Sequence, residues 1–148
     1  MGSWTSVSKL SLVLETGEHQ SQIEHDGKDT KGMGVVVTIQ PTDSDGNPVK
    51  LSDDELNKAQ VDLIDYVDEK PMPTERGSNN GWYCLRAGAS RPRKDGTLIQ
   101  FMYTVSWGTG NSYLHAKSIG VSVAIGSKVV YSSLSGTYHS SVLVSAKS

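Results

Sequence analysis

An alternation of apolar with small or polar residues runs through the second half of the chain and limits what it can fold into. Ile119, Val121, Val123 and Ile125 interleave with Ser118, Gly120, Ser122 and Ala124, the period of two that buries one face of a strand. Ile99, Phe101, Tyr103, Val105 and Trp107 repeat the pattern between Leu98, Gln100, Met102, Thr104 and Ser106, as do Val35, Val37 and Ile39. A helix cannot gather such positions on one face. Composition points the same way: of 148 residues, 21 are Ser, 15 are Val and only 6 are Ala, a balance that favours pleated strands and turns. An all-helical bundle is excluded.

Weaker runs lie at Val7 to Leu14, Val61 to Val67, Trp82 to Ala87, Lys128 to Ser132 and Tyr138 to Val144. Turn formers separate them: Asp45-Gly46-Asn47-Pro48, Asn79-Asn80-Gly81, Asp95-Gly96, Gly126-Ser127 and Ser135-Gly136, residues that start turns or accept positive φ. The expectation is an all-β chain, a single-domain antiparallel β-sandwich of about seven to nine strands over residues 1–148. One short connector helix is expected near 53–59. Ser52 and Glu55 form a capping box there, with Leu51 and Leu56 at the staple positions. Glu15 to Gly32 is polar and long for a loop, which marks it as a candidate functional segment.

The formal net charge of -2 conceals an asymmetry. Residues 1–74 hold 14 acids and 6 bases, a balance of -8, whereas residues 75–148 hold 8 bases and 2 acids, a balance of +6. Such halves attract within the fold or between copies, so a homo-oligomer is one expected partnership. With pI near 6.0, no nucleic-acid partner is expected. No apolar run approaches the roughly 18 residues of a membrane span, and no continuous apolar signal segment precedes the first strand. The chain is therefore read as cytosolic, already processed, or extracellular after leaderless release. Met1-Gly2-Ser3-Trp4-Thr5-Ser6 formally matches a myristoylation pattern, a match short enough to arise by chance. The single cysteine, Cys84, closes no intrachain disulfide and leaves the redox compartment open.

Asp43-Ser44-Asp45-Gly46-Asn47 offers clustered oxygens, but its glycine spacing is wrong for an EF-hand calcium loop and a tight turn accounts for it. Glu18, His19, Glu24, His25 and Asp26 gather potential zinc ligands without the spacing of a zinc motif. No metal and no cofactor is expected. Cys84, His115 and His139 supply the residue types of covalent catalysis, yet Cys84 lies in a strand pattern where a buried inert thiol is the better account. No Gly-x-Ser-x-Gly elbow or phosphate-binding loop occurs. An enzyme is the weaker class.

Aromatic residues share the second half with an acid-free basic stretch from Arg86 to Lys94. Indole and phenol rings stack on sugars or settle among lipid headgroups, and Arg forks grip phosphate at two points. The candidate ligand-binding residues are Trp82, Tyr83, Arg91, Arg93, Trp107 and Tyr113. Core filling competes for the strand aromatics Tyr103 and Trp107, and a solvated loop that balances the acidic half competes for the basic residues.

At this segment Asp95-Gly96, Phe101, Tyr103, Trp107-Gly108 and Asn111-Ser112-Tyr113 stand in an order that resembles the aegerolysins, small single-domain β-sandwich proteins. The similarity covers about a sixth of the chain, and the Trp-Gly step is its most specific part. Where that family usually has Cys-Pro before Trp-Gly, this chain has Val105-Ser106. The resemblance implies a non-enzymatic protein that recognises membrane lipids, often with a larger perforin-like partner in pore-forming or insecticidal two-component toxins, with Trp107 and Tyr113 as headgroup contacts. Ser135-Gly136-Thr137-Tyr138-His139-Ser140 also looks like the tyrosine corner of immunoglobulin domains, with Ser140 in place of Cys. The leading expectation is recognition of a lipid or membrane surface. The alternatives are a carbohydrate-binding, lectin- or adhesin-like module, and a structural or assembly subunit.

Overall fold

The computed structural model describes residues 4–24, 33–52, 54–55, 60–72, 81–86, 93–95, 97–108, 115–125 and 128–147. Ten strands stand among them: β1 (Ser6–Leu14), β2 (Gln20–Glu24), β3 (Met33–Thr42), β4 (Gln60–Asp65), β5 (Gly81–Arg86), β6 (Arg93–Asp95), β7 (Leu98–Gly108), β8 (His115–Ile125), β9 (Lys128–Ser132) and β10 (Val142–Lys147). That exceeds the seven to nine expected, because β2 and β6 lack the apolar alternation from which strands are read in the sequence.

The strands form two five-stranded sheets. In the first, the order is β1-β3-β7-β5, with β6 also paired to β7; in the second it is β2-β10-β8-β4, with β9 also paired to β8. Both follow one plan. An 11-residue strand, β7 or β8, lies at the centre. One neighbour, β3 or β4, lines one flank, and two strands share the other, β5 with β6 or β10 with β9. Every pairing is antiparallel except that of β2 with β10, which is parallel.

Alternation decides what goes inside. Ile99, Phe101, Tyr103 and Val105 of β7 and Ile119, Val121, Val123 and Ile125 of β8 are buried, together with Leu10, Leu12 and Leu14 of β1 and Val35, Val37 and Ile39 of β3. Residues of both sheets belong to one apolar cluster, the burial that drives such layers together. The Tyr103 hydroxyl donates across it to the Val61 carbonyl, so the polar end of a buried ring is satisfied.

The segment between β9 and β10 ties the sheets together. Tyr138 donates its hydroxyl to the Val7 carbonyl at 2.7 Å. Ser140 Oγ accepts from the Leu12 N–H at 2.9 Å and donates to the Leu12 carbonyl at 3.3 Å. These bonds cover the outer edge of β1, which would otherwise offer unpaired backbone groups. Gly120 in β8 makes room for the end of β9, since a Cβ there would stand 2.0 Å from the Ser132 carbonyl oxygen.

Two expectations end differently. The strand expected from Tyr138 starts at Val142, because residues 133–141 cross over to bind β1 and β9 instead. Around Ser52 both capping-box bonds are present, Ser52 N–H to Glu55 Oε1 at 3.1 Å and Glu55 N–H to Ser52 Oγ at 3.2 Å. Asp54 and Glu55 have helical backbone, and the rest of the expected connector, positions 53 and 56–59, lies outside the described residues.

Candidate functional site

The β7–β8 connection leaves the first sheet at Gly108 and enters the second at His115. Trp82, Tyr83 and Trp107 lie near its first-sheet end, whereas Arg93 lies toward the other end of β7. Trp82 of β5 pairs directly with Trp107 of β7, one rung from the pair Gly81–Gly108. Trp82 is only 8% exposed. It shares its alternation with Cys84, which is 3% exposed, so the indole belongs to the interior and offers no face to a sugar or a lipid. Tyr83, on the opposite parity, is half-buried and pairs with Ser106. Arg93 sits in β6 at the register position opposite Gln100, on the same flank of β7 as β5. For Trp107 and Arg93 the backbone position is what is described; Arg91 and Tyr113 lie outside the described residues.

Cys84 has no activated chemistry. Burial, and after it the Asp62 carboxylate, push its thiol up to about 11, so at neutral pH it is a protonated core residue and not a nucleophile. The Asp43 turn closes on itself: Asp43 Oδ1 accepts the Asp45 and Asn47 N–H groups at 2.9 Å each, with Gly46 at φ 83°. Among the described residues no three His, Cys, Asp or Glu side chains gather to hold a metal. His19 is exposed, its Nδ1 3.3 Å from the Ser141 carbonyl; His25 and Asp26 lie outside the described residues.

On the second sheet the structure brings together residues that the sequence reading does not single out. β4 ends at Asp65, whose Oδ1 accepts the N–H groups of Val67 at 2.8 Å and Asp68 at 3.1 Å. Its Oδ2 meets Lys117 Nζ at 2.7 Å. Partial burial works to raise the pKa of Asp65, but the bond from Lys117 and the amides of Asp68 and Val67 outweigh it and hold the carboxyl below its ordinary 3.8. The turn closes with Glu69 at φ 65°, its N–H donating to the Asp65 carbonyl and its Oε2 accepting from Ser133 Oγ at 2.6 Å.

This bracing leaves Val67 62% exposed. The next carbonyl upstream, of Tyr66, accepts the N–H of Leu134 at 2.8 Å, and Leu134 is 59% exposed. Two aliphatic side chains thus project from adjacent turns, with the Tyr66 hydroxyl donating to the His139 carbonyl beside them. Apolar tips held rigidly in water cost little ordering entropy when they bind. The sequence signal was available: in Asp65-Tyr66-Val67-Asp68-Glu69-Lys70-Pro71 an aliphatic residue sits between turn-forming carboxylates and a proline, but the expected strand from Val61 to Val67 absorbs it.

Compared with known proteins, the chain matches no family model, no curated protein and no solved structure.

Proposed function

We propose that the protein is a β-sandwich, non-enzymatic binding protein that docks on a lipid or membrane surface with the end of the molecule bearing the Tyr66–Val67 and Leu134 turns. The observation that carries this is the rigid exposure of Val67 and Leu134 on turns bonded to each other. Aliphatic tips enter the headgroup boundary while Tyr66 and Lys117 stay at its polar level. Lys117 neutralises Asp65, and Asp68 and Glu69 outnumber Lys70 in the turn, so the remaining negative charge favours zwitterionic over anionic lipid. Tyr83, Trp107, Tyr113, Arg91 and Arg93 remain the headgroup and phosphate contacts of the reading, while Trp82 leaves the contact set for the core. The resemblance to aegerolysins adds its most concrete form, the small component of a pore-forming or insecticidal toxin that acts with a larger perforin-like partner.

Flotation with phosphatidylcholine vesicles, alone and with sphingolipid or phosphatidylserine added, tests it. Wild-type protein is expected to float with zwitterionic mixtures, and Val67→Asp with Leu134→Asp to stay at the bottom while melting like wild type. Failure of the wild type to float with every mixture rejects the reading.

A glycan-binding reading draws on the first sheet. β3 and β7 carry no charged residue, and on their outer face Gln100 Nε2 donates to Thr38 Oγ1 at 3.3 Å and Thr97 Oγ1 donates to Gln40 Oε1 at 2.8 Å. These amides and hydroxyls suit sugar hydroxyls, and the half-exposed Tyr83, six residues farther along β7 opposite Ser106, suits a sugar face. A glycan-array signal lost in Tyr83→Ala, with vesicles ignored, selects this reading.

A further inference from the structure

The edges of the two sheets are not treated alike. That of β1 is covered by Tyr138 and Ser140. That of β4 is covered by the returning chain, with Met72 N–H on the Leu63 carbonyl at 3.0 Å and Asp65 N–H on the Lys70 carbonyl at 2.8 Å. β9 meets Tyr138, whose N–H donates to the Tyr131 carbonyl at 3.2 Å. The flank shared by β5 and β6 is split and carries Arg86, Arg93, Lys94 and Asp95, charges of the kind that discourage pairing. β2 is different: free of proline and uncharged from Gln20 to Ile23.

Register shows which way its backbone faces. Leu143 is paired in parallel with Gln20 and donates its N–H to the His19 carbonyl at 2.8 Å. In a parallel ladder each bonded residue of one strand spans the neighbours of its partner, so Ser21 and Ile23 turn their peptide groups toward β10. Gln20, Gln22 and Glu24 turn theirs away, and among the described residues β2 pairs with β10 alone. Gln20 and Gln22 are exposed.

We infer that this edge is a homodimer interface, in which β2 of a second copy pairs antiparallel about a two-fold axis at Gln22 and joins the two second sheets into one. The segment is self-complementary in this arrangement: Gln22 meets Gln22, and Gln20 meets Glu24, so no like charges stand opposite. All of the outward-facing peptide groups find partners. The interface is independent of the lipid-binding end, and because it rests on backbone pairing it persists in salt, unlike an attraction between the acidic and basic halves.

Sedimentation velocity over a dilution series tests it with the full chain. Wild type is expected to dimerise with little dependence on salt. Gln22→Lys and Gln22→Glu each place like charges across the axis and weaken the dimer by about fivefold or more, and an equimolar mixture of the two restores association. Gln22→Pro, which removes an N–H that β10 does not use, gives a folded monomer by melting and sedimentation. A wild type that stays monomeric at every concentration overturns the inference. So does a dimer indifferent to the Gln22 charges, or one dissolved by salt, each of which places the contact elsewhere.

Discussion

The two sheets share a plan and differ in where they put their apolar side chains. The first turns its large rings inward: Trp82, Phe101 and Tyr103 are at most 8% exposed. The second carries the large apolar residues found exposed among the described positions, Val67 at 62%, Leu134 at 59%, Val129 at 44% and Leu143 at 39%. Side chain-to-backbone bonds from Asp65, Ser132, Ser140 and Tyr138 brace its turns, and that of Asp65 holds the Val67 N–H directly. The first sheet keeps its large rings inside, and the second leaves aliphatic side chains exposed at several separate points.

The largest effect that sharpens this contrast is expected at glycine. Gly120→Ala in β8 drives a Cβ into the Ser132 backbone carbonyl at 2.0 Å, where the neighbour cannot swing aside, and should cost about 3 kcal/mol or more. Gly34→Ala in β3 meets Glu15, whose Oε2 at 2.3 Å can swing aside and whose Cβ at 2.9 Å needs only a small shift, and should cost less. Urea melts of the pair measure both; equal losses would erase the distinction between a packed second sheet and a more yielding first one.

A smaller effect reports on the first sheet. The Cys84 thiol is raised from 9.0 to about 11 in the fold, so its contribution is intact below pH 9, where the unfolded thiol begins to ionise, and fades as pH rises toward 11. Wild type should lose about 2 to 3 kcal/mol relative to Cys84→Ala over that window. Parallel stability curves for the two proteins would mean that Cys84 is not desolvated.

The smallest concerns the braced turn. Asp65 titrates below its ordinary 3.8, so it stabilises the fold above that value and ceases to as pH falls through the lowered one. Asp65→Asn should cost about 1 kcal/mol at pH 7, since the Lys117 pair is partly exposed. The difference should vanish in acid. A cost that persists at pH 2 would assign the effect to lost turn geometry instead of charge.

What the sequence makes legible follows from these same differences. The alternation in β1, β3, β7 and β8 gives the strands and their inner faces, and Cys84 is placed in the core by its pattern. Trp82 lies two residues away on the same parity, so the burial of one carries the other inward despite the appeal of an indole beside a turn. β2 is hidden because Gln20-Ser21-Gln22-Ile23-Glu24 has almost no apolar period, and its parallel partner lies at the far end of the chain. The reach of Ser140 to Leu12 is hidden for the same reason: hydrogen bonds between distant side chains and backbone leave no periodic trace. Val67 and Leu134 are missed because an exposed aliphatic residue looks, in one dimension, like the end of a strand.

The docking claim is tested most directly by comparing the two ends of the second sheet. In a Cys84→Ala background, an environment-sensitive fluorophore is attached through Val67→Cys, Leu134→Cys or Val129→Cys and titrated with phosphatidylcholine vesicles. Val129 is also exposed but lies in β9 near the far end of β8, where it pairs with Ala124. Blue-shifted emission at positions 67 and 134 with none at 129 is the expected result. A shift at 129 alone, or at all three alike, would contradict an oriented contact through the Tyr66–Val67 and Leu134 turns.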